Sequence, residues 1–186
     1  MNPELEKDEE RVSARVNKIL GSDVAYKLEW ISLYSFSCKR IQRFRHGPIF
    51  FVGDAAHVVS PFGARGGNGG LQDIDNLVWK VSSVIKGKAP RALLDTYDEE
   101  RIPAADENLL NSARSTGSMT PKTQASIDFR EAVFNLSKTM PFVREFINSG
   151  RLSQPYKYFG SSLVSEDDIS FCGEGILPGQ SILDAP

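Results

Sequence analysis

Residues 49–68 read Ile-Phe-Phe-Val-Gly-Asp-Ala-Ala-His-Val-Val-Ser-Pro-Phe-Gly-Ala-Arg-Gly-Gly-Asn. The apolar run Ile49–Val52 has no polar face and predicts a short buried strand. Gly53 then lets the chain turn sharply, and Asp54 places a carboxylate at the strand's end. A glycine-dense loop follows and leads into a helix. Strand, acid, bare glycine amides and helix start together present N–H donors and one acceptor to a polar, electron-rich ligand.

Downstream, Leu71, Ile74, Leu77, Val78, Val81, Val84 and Ile85 recur at spacings of three and four. They predict an amphipathic helix that ends near Gly87, its apolar stripe and Trp79 facing a core. Ala89-Pro90 breaks the chain. Asp95 or Thr96 is placed to cap the next helix, with Asp98, Glu99 and Glu100 on a solvated face of its first turns. Pro103 is expected to strain or bend that helix, because it removes one backbone bond. Residues from about 122 to 149 read as helix, with Pro141 dividing two segments. Residues 154–164, with Tyr156, Tyr158 and Phe159, read as a strand, and the chain from Ser165 onward as open coil.

Upstream, residues from about 4 to 20 predict a short surface helix stopped by Gly21. Val24 to Phe44 alternates, with Tyr26, Leu28, Trp30, Ser32, Tyr34 and Phe36 on one face, and predicts one strand or two. Arg45-His46-Gly47-Pro48 is a turn. No internal repeat is visible.

Composition narrows the function classes. With 186 residues, 40% hydrophobic and 25% charged, the chain is of ordinary globular type. A net charge of −2 with both signs interspersed argues against nucleic acid as a partner. No apolar run reaches the roughly 20 residues that span a bilayer. The acidic start Met-Asn-Pro-Glu-Leu-Glu reads as neither signal nor transit peptide, so a cytoplasmic location is expected. Cys38 and Cys172 lie in no metal-like pattern and read as free thiols. The two histidines, His46 and His57, argue against a histidine-built metal site, and no metal is expected.

The ordered set Gly53-Asp54-Ala55-Ala56-His57, Pro61, Gly63, Gly66-Gly67-Asn68, Gln72-Asp73, Asn76-Leu77 and Trp79-Lys80 resembles the second flavin-contacting motif of the FAD-dependent aromatic hydroxylases, the para-hydroxybenzoate hydroxylase and phenol hydroxylase group. Leu93-Leu94-Asp95-Thr96-Tyr97 and Glu100-Arg101-Ile102-Pro103 are similar to the family's tyrosine–glutamate–arginine–proline segment. The resemblance covers residues 24 to 115 well and the remainder weakly. It implies an α/β (α+β) chain holding part of an FAD/NAD(P)-binding fold, part of a substrate-domain sheet and several helices. Residues 1–118 would form the FAD-binding and substrate region, 119–164 a helical segment with a short strand, and 165–186 an extended tail.

By the same resemblance, Gly53, Asp54, Pro61, Gly63, Gly66, Gly67 and Asn68 are the cofactor-binding residues. Asp54 would hold the ribitol chain of FAD and Pro61 would lie beside the flavin ring. The amides of Gly67 and Asn68, with the helix dipole, would stabilise the negative N1 and O2 end of reduced flavin. NADH or NADPH would be the reductant, and an aromatic small molecule the substrate. Trp30, Tyr34 and Phe36 read first as core residues. The alternative is that Trp30 and Tyr34 line the substrate cavity. His57 reads as a structural residue rather than a catalytic base. Arg65 replaces the family's commoner glutamine and either adds charge near the flavin or points to solvent.

The family's Gly-x-Gly-x-x-Gly turn and its N-terminal βαβ unit have no counterpart here, nor does the Asp-Gly motif of its middle region. Gly175-Ile176-Leu177-Pro178-Gly179-Gln180 is similar to the linker that precedes a thioredoxin-like tail in some members. The chain is therefore expected to be the C-terminal portion of a flavin monooxygenase, incomplete alone. Strand 49–52 would then carry an exposed edge, which invites a homodimer or a complementing N-terminal chain. Two other readings stay open: an inactive or partner-binding fragment, and another flavoprotein such as a halogenase.

Overall fold

The computed structural model describes residues 3–21, 23–147, 155–165 and 176–180. Gln154, Cys172, Gly173, Gly175, Pro186 and most of the expected tail lie outside the described residues. The chain divides into two units, Met1–Phe36 and Ser37–Pro186.

In the first unit α1 (Pro3–Glu6) and α2 (Glu9–Leu20) replace the single expected helix. The break falls at Asp8, whose side chain accepts the Arg11 amide at 3.0 Å and caps α2. Gly21, with φ 92, ends α2 as expected by donating to the Asn17 carbonyl at 2.8 Å. Residues 24–36 form no strand, against the alternation of Val24–Phe44. Strand propensity becomes a strand only where a neighbouring ladder supplies hydrogen bonds, and among the described residues this stretch has none. Trp30 is 76% exposed, and Tyr34 and Phe36 are also exposed, so they fill no core here.

In the second unit β1 (Lys39–Arg40) pairs antiparallel with β4 (His57–Val58), in the register Lys39↔Val58 and Arg40↔His57. A hairpin joins β2 (Arg45–His46) to β3 (Ile49–Phe50) through Gly47, at φ 61, and Pro48. The expected buried strand 49–52 is thus shorter and sits in a two-stranded antiparallel ribbon, with Ile49 exposed. A two-stranded ribbon covers neither of its faces by itself, which is why Ile49 stays open to solvent.

The helices are α3 (Gly66–Ile85), α4 (Thr96–Met119), α5 (Gln124–Leu136) and α6 (Arg144–Ile147). α3 stops at Lys86-Gly87 as expected, with Gly87 at φ 65. α4 runs through Pro103 without ending there. Thr123 caps α5 by accepting the Ser126 amide, and a short 3₁₀ turn at Pro141–Val143 separates α5 from α6. Residues 155–165 form turns rather than the expected strand, with the Tyr158 amide bonded to the Gly179 carbonyl at 2.8 Å. The chain is therefore mixed α/β, rich in helix and poor in strand.

A small aromatic core locks the ribbon to α4. Phe44, Ala56, Tyr97 and Ala105 are buried together, with Ile41, Phe50, Phe51, Val52, Leu77 and Ile102 packed around them. Tyr97 donates its hydroxyl to the Phe51 carbonyl at 2.8 Å, and Asp98 Oδ1 accepts the amides of Phe44 and Arg45 at 3.0 Å each. These bonds set the height at which the chain leaves β3 toward Gly53.

α3 buries a polar stripe where an apolar one is expected, though Leu77 still packs on the core. Its buried residues are Gly69, Asp73, Asn76 and Lys80. Leu71, Ile74, Val78, Trp79 and Ile85 are exposed, Ile85 at 80%. A polar stripe is favoured inside only because α4 supplies partners for every charge on it, as the site shows.

Candidate functional site

The turn after β3 is a short 3₁₀ segment, Gly53–Ala55, entered at Gly53 with φ 56. That left-handed value suits glycine and strains other residues. Asp54 stands exposed on this turn, and among the described residues it makes no hydrogen bond. β4 follows, then a second 3₁₀ turn, Pro61–Gly63, and Ala64 in the left-handed region at φ 50.

α3 begins directly at Gly66. Its cap residue Arg65 makes no side-chain capping bond to the helix start. The amides of Gly66, Gly67 and Asn68 have no helical carbonyl behind them, so three donors point out of the helix end. Gly67 and Asn68 are exposed, and a Cβ placed on Gly67 would meet no atom within 4 Å. The Asn68 side chain folds back onto the Ala64 carbonyl at 2.9 Å, leaving its own amide clear. Gly63 is buried and Pro61 exposed. Arg65 is buried, which removes the solvent-pointing alternative.

Beneath this surface lies a buried ionic network that sequence reasoning did not assign. Asp73 is fully buried, and its Oδ2 accepts the Gly53 amide at 2.9 Å. His57 Nε2 lies 2.7 Å from the same oxygen. An ionised carboxylate only accepts, so that nitrogen carries the proton. Arg101 donates through Nε to Asp73 Oδ1 at 2.7 Å, through Nη1 to the Tyr158 hydroxyl at 2.9 Å and through Nη2 to the Gly69 carbonyl at 3.3 Å. Burial would raise the Asp73 carboxyl. The His57 hydrogen bond, the Arg101 charge and the Gly53 amide outweigh it and hold the group below the ordinary carboxylate value.

A second buried cluster ties α3 to α4 one turn further on. Glu100 accepts from Lys80 Nζ and Asn76 Nδ2 at 2.6 Å each on Oε2, and from Ser161 Oγ at 2.6 Å on Oε1. Burial alone would raise the Glu100 carboxyl too, but these donors keep it low. Glu100 is buried, not part of a solvated face, because the Lys80 charge opposite neutralises it. Asp98 and Glu99 are likewise engaged, Glu99 with the Ser162 amide and hydroxyl.

Glycines outside the expected set bring α3 against the turn. A Cβ on Gly70 would lie 3.2 Å from the Gly53 Cα, and one on Gly69 would lie 3.1 Å from His57 Cε1. Gly69 and Gly70 therefore serve packing, while a Cβ on Gly66 would make only an ordinary contact with Val59 at 3.8 Å and Gly67 stays open. His57 is the structural residue expected. Trp30 and Tyr34 belong to the first unit and are exposed there. The signal that could have revealed Asp73, Asn76 and Lys80 is their own spacing of three and four, a polar stripe opposite the apolar one.

The arrangement offers bare amides at a helix start and one exposed carboxylate, held by buried charges from below. Such a surface can bind an anionic or electron-rich ring together with a hydroxylated chain. Among the described residues no cluster suits a metal ion, and no helix is long and apolar enough to cross a membrane.

A family profile described as FAD binding domain matches residues 2–112. An uncharacterised aromatic compound monooxygenase of Bacillus subtilis is 38% identical over 146 residues, covering 78% of this chain and 29% of the relative. A 3-(3-hydroxy-phenyl)propionate/3-hydroxycinnamic acid hydroxylase of Escherichia coli is 31% identical over 153 residues, covering 82% of this chain and 28% of the relative. The chain thus spans under a third of these relatives' length. Among solved structures, the anhydrotetracycline hydroxylase OxyS of Streptomyces rimosus aligns at a TM-score of 0.61 with 32% identity, over 81% of this chain and 31% of that one. The rebeccamycin biosynthetic enzyme RebC, solved with reduced flavin, aligns at 0.63 with 26% identity, over 90% and 34%.

Proposed function

Because this chain belongs to the family of FAD-binding domains found in aromatic hydroxylases, we propose that it forms the flavin-facing portion of a monooxygenase that hydroxylates an aromatic compound. The observation that carries this reading is the uncapped start of α3 beside exposed Asp54, on a turn pinned from beneath by Asp73. FAD fits that donor set. Asp54 would accept from the hydroxyls of the ribitol chain, and the amides of Gly67 and Asn68 would donate to the electron-rich end of the ring. Pro61 would flank the ring, and Gly53, Gly63 and Gly66 complete the set of residues we assign to the cofactor. A bound flavin would supply the redox chemistry, with NADH or NADPH as the reductant we assign to it. This chain's own residues bind and orient it. The flavin-binding portion extends through α4, to about residue 118.

An aromatic substrate accords with the names of the relatives, and Trp30 and Tyr34 are the residues we assign to it. The exposed apolar face of α3 supports completion of the site by a further polypeptide or a second copy. That same face is what favours the second reading, a non-catalytic partner-binding module.

The test is a titration of the full chain with FAD, followed by flavin fluorescence. Micromolar binding that weakens about tenfold in Asp54→Ala, as loss of a charge-assisted hydrogen bond would give, is the expected result. Binding indifferent to Asp54 would refute the assignment.

A further inference from the structure

A cavity of about 590 Å³ opens between the end of α4 and the inner side of α5. It lies apart from the flavin loop, and none of residues 53–68 lines it. Phe129, Val133 and Phe134 of α5 and Phe146 of α6 give it an apolar lining, and Arg114 and Arg130 line it too. No carboxylate is among the lining residues.

The two guanidinium groups are under-used. Arg130 Nε is buried without a hydrogen-bond partner, and its Nη1 reaches only the Met119 carbonyl, at 3.5 Å. Among the described residues Arg114 makes no hydrogen bond or ion pair. A buried guanidinium nitrogen with no acceptor is costly, and the group that would relieve it is a planar anion able to accept two parallel N–H donors. The phenyl rings in the same lining offer a surface for an aromatic ring. The volume falls within the range of small-molecule sites, and apolar walls with a few convergent polar groups are their usual composition.

We propose that this cavity binds a small aromatic carboxylate, its ring among Phe129, Phe134 and Phe146 and its carboxylate on Arg130 and Arg114. This site stands whether or not the chain holds flavin. The charge complementarity commits it to an anion, and the phenyl wall to an aryl rather than a purely polar one.

The experiment titrates the FAD-free full chain by calorimetry with naphthalene-2-carboxylate and, separately, with the neutral naphthalene-2-carboxamide. One-to-one binding of the carboxylate is expected, at least tenfold tighter than the carboxamide. Arg130→Gln and Arg114→Gln should each weaken it about tenfold, and Val133→Trp, which fills the cavity, should abolish it. Circular dichroism and the thermal midpoint check that each variant folds. Should Arg130→Gln unfold, the exposed Arg114 carries the same comparison. Equal binding of the two probes, binding unmoved by the arginine variants, or no binding at millimolar carboxylate would overturn the proposal. So would displacement of the carboxylate by FAD in wild type and Arg130→Gln alike.

Discussion

Asp73 and Gly53 are twenty residues apart in sequence yet joined by a hydrogen bond of 2.9 Å, the carboxylate on α3 accepting the amide of the turn that bears Asp54. The same carboxylate meets Arg101 and His57. Asp73→Asn removes the charge but keeps the shape, leaving Arg101 buried without a counter-charge. Loss of one partner from a buried pair costs about 3–5 kcal/mol. Urea unfolding should report a loss of that size. A loss under about 1 kcal/mol would mean that the network does not hold the turn.

The network also sets the acid limit. Asp73 and Glu100 both have folded values below their ordinary 3.8 and 4.5. A carboxyl lowered by folding contributes stability that is complete above its unfolded value and is lost as pH falls through the folded one. The urea midpoint should therefore hold level from pH 7 to about 5 and decline below about 4.5. A midpoint unchanged down to pH 3 would contradict ionised Asp73 and Glu100.

The glycines of α3 should separate into two classes. At Gly70 an added methyl would press on the Gly53 Cα at 3.2 Å, and Asp73 holds Gly53 from moving aside. The gain in helix propensity is then outweighed, and Gly70→Ala should destabilise by about 1–2 kcal/mol. At Gly67 an added Cβ would meet no atom within 4 Å. Gly67→Ala should stabilise the chain by up to about 1 kcal/mol and at the same time weaken FAD binding, since the methyl stands where the ligand approaches. Thermal melts with flavin titrations resolve the two effects. Equal behaviour of the two variants would undo the distinction.

Asp54 gives the converse case. It is exposed and makes no hydrogen bond among the described residues. Asp54→Asn should leave the unfolding free energy within about 0.5 kcal/mol of wild type while reducing flavin affinity. A large stability loss would recast Asp54 as a structural residue.

Sequence signals match the structure where the physics is local. Gly21, Gly87 and Pro141 end or divide helices because their restrictions act within one turn. The sequence of turn, loop and helix start from Gly53 to Asn68 follows from glycine and proline alone. The family likeness, legible in the ordered motif, agrees with the profile over residues 2–112. Readings failed where a distant partner decides the outcome. Val24–Phe36 alternates like a strand but has no ladder among the described residues. Glu100 looked like surface charge because Lys80, its neutralising partner, sits on another helix. The apolar residues of Leu71–Ile85 predict a core face, while Asp73, Asn76 and Lys80 find partners in α4 and take the interior.

That reversal on α3 has a price in handling the protein. Leucine, isoleucine, valine and tryptophan side chains displayed along one rod make a self-adhesive strip. The isolated polypeptide should scatter more light as it is concentrated, bind apolar dyes while fully folded, and become better behaved when Ile74 and Val78 are exchanged for serine.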